Sequence, residues 1–125
     1  MNVADSSAWL EALSLGPNAL HFKQMLKENH SLIVPALVLY EVTKRFRVLQ
    51  GEEFAKAVVA LLSKSIYVEV TRAIALMAVE LSLKHKLSTA DSLIYATALE
   101  YDATLWTQDK HFKGLPSVKY FEKAA

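Results

Sequence analysis

The chain has 125 residues and a mass of 14.0 kDa, enough for one domain with a substantial core; at 53% hydrophobic and 22% charged residues it is no disordered tail. Fourteen basic against thirteen acidic residues leave a net charge of +1, so bulk charge points neither toward nor away from nucleic acid, and only a local patch could. The absence of cysteine excludes a disulfide framework, a thiolate metal site and a cysteine nucleophile.

The opening "MNVADSSAWL" has no basic segment followed by an apolar run, so it does not read as a signal peptide. Its "NVA" at 2–4 is the first of five short β-rich runs, followed by "SLIV" at 31–34, "IYVEV" at 66–70, "TLW" at 104–106 and "VKYF" at 118–121. Helical patterns lie between them, at 18–28, 36–49, 52–64, 72–84 and 89–101. In the fourth, Ile74, Met77, Ala78 and Leu81 recur on one face; the third opens on two glutamates beside the positive helix end. "SLIVPALVLY", at ten residues, is too short to span a bilayer, and a soluble cytoplasmic protein is expected. No linker, repeat or low-complexity segment interrupts the pattern.

Strands alternating with helices predict an α/β fold with a mainly parallel sheet covered on both faces. Such sheets bind ligands beyond the carboxyl ends of their strands. Four acids fall at telling places. Asp5 follows the first strand directly, and Ser6 and Ser7 beside it could cap the next helix. Asp109 follows "TLW", where it could close a turn with Thr107. Asp91 stands three residues after Ser88, the spacing of a capping box. Glu41 sits among Leu37, Val38, Leu39, Tyr40 and Val42, where a carboxylate is expensive to bury without a partner. Arg45 at i+4 could be that partner, or Glu41 could lie on a solvated stripe with Lys44 and Arg45.

Each acid alone has a structural explanation, but together they can converge at one end of the sheet. Bare carboxylates there repel by roughly 4 kcal/mol per pair at about 4 Å and an effective dielectric near 20. A cation offsets such repulsion, and an oxygen-only ligand set suits Mg²⁺ or Mn²⁺ better than zinc. Lys44, Arg45 and Arg47 flank Glu41, and Lys110 and Lys113 flank Asp109, so RNA phosphates could be met around the acids. His21, His30, His85 and His111 form no pattern with a serine and read as surface residues.

"VADSSAWLE", "LVLYEVTKRF", "LSTADSLIYATAL" and "LWTQDKHFKGLPSVKYF" resemble, in order, the four motifs of PIN domains, above all the small VapC-type ribonuclease toxins. The resemblance implies a three-layer α/β/α sandwich with strand order 3-2-1-4-5 over one domain, residues 1–125. It implies an endoribonuclease dependent on Mg²⁺ or Mn²⁺, whose acidic quartet would be Asp5, Glu41, Asp91 and Asp109, all four holding the metal (Glu41 directly or through water), supported by Ser6 and Thr107. It implies an RNA substrate, a cognate antitoxin and a homodimer, for which exposed apolar residues on the helices at 18–28 or 36–49 would serve. The rival reading is a non-catalytic PIN-like scaffold that binds RNA or protein. One departure stands out: many relatives carry a second aspartate in the last motif, where this chain has His111.

Overall fold

In the computed structural model, which describes residues 1–124, β1 (Asn2–Ala4) is the middle strand of a five-stranded sheet. β2 (Leu32–Pro35) and β4 (Thr104–Thr107) flank it, with β3 (Ile66–Val68) and β5 (Val118–Tyr120) at the edges. Every pairing is parallel and the order is β3-β2-β1-β4-β5, as the motifs imply. Val3, Ala4, Leu32, Ile33 and Leu105 are wholly buried because helices cover both faces, which is why the inner strands read as continuous apolar runs. β3 stops at Val68, two residues short of the "IYVEV" run, and exposes Ile66 and Tyr67 as an edge strand can.

Six helices connect the strands: α1 (Ser6–Leu13), α2 (Ala19–Leu26), α3 (Ala36–Gln50), α4 (Glu52–Leu62), α5 (Arg72–His85) and α6 (Thr89–Glu100). α1 has no counterpart among the sequence-based helices; it turns back from the end of β1 and buries Ala8, Trp9 and Ala12. Gly51, at φ 90°, ends α3 and starts α4 without an intervening loop, a backbone conformation that side chains disfavour. α5 ends on Lys86 in the left-handed conformation, and the Ser82 hydroxyl donates to the Leu87 carbonyl at 2.8 Å. This sharp exit delivers Ser88 to the start of α6 as its N-cap. α6 is buried along most of its length, from Ser92 through Ile94–Ala98, so its first turn is fixed by the core behind it. Among the described residues no helix is long and apolar enough to cross a membrane.

Candidate active site

The carboxyl ends of β1 and β4 are neighbours, with Ala4 paired to Trp106, and this register sets Asp5 against Thr107. Asp5 is itself the N-cap of α1, one residue earlier than the Ser6 or Ser7 cap suggested by the sequence. Its Oδ1 accepts from the Ala8 N–H at 3.0 Å and from the Ser7 hydroxyl at 2.7 Å, while Oδ2 accepts from the Thr107 hydroxyl at 2.5 Å. The short polar side chain thus satisfies orphan donors of the helix start. Asp5 is only 4% exposed. Burial pushes its pKa up to about 6, against the hydrogen bonds from Thr107, Ser7 and Ala8; the charge of Asp109 adds to the rise.

Thr107 joins the first acid to the last. Wholly buried, it donates to Asp5 and accepts from the Asp109 N–H at 2.9 Å, the turn foreseen for this segment. Asp109 then caps a short 3₁₀ turn over Lys110–Phe112, its Oδ1 accepting from the His111 N–H at 2.9 Å. The His111 Nδ1 lies 3.0 Å from the same oxygen. Buried Phe112 pins the turn to the core.

Asp91 enters from the first turn of α6. Ser88 accepts from the Asp91 N–H at 3.2 Å, but the return bond that would complete a capping box is not formed. The half-buried carboxylate instead senses the other acids. Burial raises its pKa, and the charges of Asp109 and, less strongly, Glu41 raise it further; the Ser88 hydroxyl and the His111 ring pull the other way.

Glu41 is held from α1. The Ser6 hydroxyl donates to its Oε1 at 2.6 Å, while among the described residues no ion pair joins it to Arg45. Ser6 therefore supplies the partner that a half-buried glutamate needs. Glu41 shares a cleft with Ser6, Leu10, Tyr40, Lys44 and Arg45. Asp109, Lys110 and His111 line a second cleft with Ser7 and Gln108. Arg47 and Lys113 line neither, and Lys113 sits over the Tyr120 ring, 5.7 Å from its centre.

The charges of the acids reach one another in a chain: Asp109 acts on Asp5 and on Asp91, and Glu41 acts on Asp91. The tightest grouping of ligand atoms is different from the quartet. One such atom from each of Asp91, Asp109 and His111 lies within 4.8 Å of the others. His111, which reads from sequence as a surface residue, is indeed exposed, yet its ring belongs to this cluster. Ser7 and Gln108 also escape a sequence reading focused on the acids, although the Gln108 N–H donates to the Ser7 hydroxyl at 3.2 Å beside Asp5.

Among solved structures, the fold is shared with a toxin–antitoxin complex from Klebsiella pneumoniae, at TM-score 0.82 and 21% identity over 98% of this chain and 99% of that one. It is shared with VapC20 from Mycobacterium tuberculosis, a Sarcin-Ricin loop cleaving toxin, at TM-score 0.75 and 17% identity over 100% of both chains. It is also shared with VapBC2 from Rickettsia felis bound to a DNA fragment from its promoter, at TM-score 0.75 and 16% identity over 97% and 98%. At such identities the likeness is one of fold. No curated protein matches the chain in sequence. The PIN domain profile, however, matches residues 3–117, which take in all four acids and the sheet from Val3 through β4, and the chain belongs to the PIN domain family.

Proposed function

We propose that the protein is a metal-dependent endoribonuclease that hydrolyses RNA phosphodiester bonds with Mg²⁺ or Mn²⁺, and that it is the toxin of a toxin–antitoxin pair. The observation that carries this reading is the meeting of Asp91 and Asp109 within one ligand cluster, with Asp5 and Glu41 electrostatically coupled to them. The donors fit a divalent ion: carboxylates without a thiolate, two of them with raised pKa values that an approaching cation would bring back down. Asp91 and Asp109 would hold the ion directly, and Glu41 directly or through water. Asp5 completes the quartet from behind Thr107. When bound, the ion supplies Lewis-acid polarisation of the phosphodiester and activation of the attacking water.

The chain's own residues prepare that chemistry. Thr107, fixed by Asp5, accepts from the Asp109 N–H and so orients the Asp109 carboxylate. Ser6 holds Glu41 across the cleft. Lys44, Arg45 and Lys110 bring positive charge to the cleft walls, where RNA phosphates would lie; Lys113 would contact the backbone farther out. The family supports the nuclease reading, and the toxin–antitoxin complexes that share its fold support an antitoxin partner. Leu20 on α2 and Val48 and Leu49 on α3 expose apolar surface suited to the antitoxin or to a second copy in a homodimer. On this reading the protein would act in the cytoplasm, where cellular RNA and an antitoxin would both be met.

Purified wild type, Asp91→Asn and Glu41→Gln are compared on a pool of cellular RNA with Mn²⁺, with Mg²⁺ and with EDTA. Cleavage by wild type with either ion, and its loss in EDTA and in Asp91→Asn at unchanged circular dichroism, is expected. Full activity of Asp91→Asn would sink the quartet.

A further inference from the structure

The third donor of the cluster is an imidazole, not a carboxylate. His111 reaches it by a defined route. Asp109 caps the 3₁₀ turn through the His111 N–H, buried Phe112 anchors the same turn, and the imidazole Nδ1 comes to 3.0 Å from Asp109 Oδ1. One ligand atom each of Asp91, Asp109 and His111 fits within 4.8 Å, a separation that one ion can bridge. The His111 side chain is 65% exposed, so solvent and an arriving ion reach it.

Ligand chemistry decides what an imidazole beside two carboxylates does. Mg²⁺ demands near-octahedral oxygen coordination and gives up its waters reluctantly. Imidazole nitrogen suits first-row transition ions, while carboxylates serve Mg²⁺ and Mn²⁺ alike. A neutral imidazole also brings no negative charge, so the coulombic attraction on which Mg²⁺ binding rests is weaker than three carboxylates would supply. Resting on the metal-centre reading above, we infer that His111 is a direct ligand and makes the centre selective for a first-row transition ion such as Mn²⁺ over Mg²⁺.

Mn²⁺ electron paramagnetic resonance tests this on the whole chain, with binding read as loss of the free-ion signal and Mg²⁺ as competitor. Wild type is expected to bind Mn²⁺ and to show nitrogen-14 coupling from a coordinated imidazole in pulsed spectra. In His111→Gln that coupling disappears. In His111→Asp it also disappears, and Mg²⁺ displaces Mn²⁺ at about tenfold lower concentration than in wild type. Bound Mn²⁺ without nitrogen coupling, coupling that survives in His111→Gln, or equal Mg²⁺ competition in wild type and His111→Asp overturns the role of His111 and leaves the acidic centre standing. Failure of wild type to bind Mn²⁺ at millimolar concentration overturns the centre itself, and the inference with it.

Discussion

Replacing Asp5 with asparagine should stabilise the metal-free protein above neutral pH while it abolishes RNA cleavage. Asp5 is 4% exposed, and burial lifts its pKa from the ordinary 3.8 to about 6 despite three hydrogen bonds to its oxygens. Because the folded value lies above the unfolded one, folding favours the protonated form. The stabilisation is fully present below about pH 4 and is lost as pH rises through about 6. At about 1.4 kcal/mol per unit, the charged carboxylate costs roughly 3 kcal/mol above pH 7. Asparagine has the same shape and no charge. Its Oδ1 can keep the Ala8 N–H and Ser7 hydroxyl, and its Nδ2 can donate to Thr107 Oγ1, whose hydrogen then turns to Ser7 Oγ, 3.3 Å away.

The assay is urea unfolding in EDTA from pH 4 to pH 8, with the stability difference between variant and wild type plotted against pH. The variant is expected to gain on wild type across this range, ending about 1–3 kcal/mol more stable once the asparagine's own desolvation is included. Both proteins keep a weaker slope of the same sign from Asp91, whose pKa burial also raises. A difference that does not change with pH, or a variant less stable at pH 8, would refute the claim that an uncompensated charge is held at this position.

Two further outcomes follow from contacts around the site. Ser6→Ala removes the donor 2.6 Å from Glu41 in a half-buried setting, so it should cost about 1 kcal/mol or less in thermal unfolding but lower kcat/KM for RNA by a larger factor. Phe112→Ala empties a fully buried site behind the Asp109 turn; a loss of about 3–5 kcal/mol is expected in denaturant unfolding, together with weaker Mn²⁺ binding at temperatures where the variant remains folded.

The sheet was legible because its inner strands are buried on both faces, and burial on both faces leaves the same mark in any sequence: Val3, Ala4 and the run Leu32–Val34 have no polar alternation. The acids were legible because strand ends and helix starts are set by local chemistry. α1 was not, since its eight residues begin with Ser-Ser directly after Asp5, and these three side chains compete for the same helix-start donors; Asp5 wins by also meeting Thr107. Glu41 illustrates the other limit. Its local partner, Arg45, is one turn away, yet the bond forms to Ser6 across a separation of 35 residues. No periodicity reports a contact of that kind. His111 stood out only as a departure from the motif beside Asp109, because a single exposed imidazole on a short turn resembles any surface histidine until the fold brings Asp91 beside it.

These contacts divide the acids into two kinds. Asp5 is sealed, with both oxygens engaged by three donors, whereas Asp91 is half-buried and Asp109 lines a cleft with Lys110 and His111. A sealed carboxylate exchanges ligands poorly, but it is well suited to hold a neighbour still: the charge on Asp5 draws the Thr107 hydroxyl hydrogen toward itself, which leaves the oxygen lone pairs facing the Asp109 N–H. Asp109 in turn sets the turn that carries His111. A buried charge that weakens the fold thus fixes the direction of two residues that would meet the ion, and the same charge is what a cation would offset on arrival. Stability given up without metal is regained with it, so the metal-bound state should be both the more rigid and the more stable one.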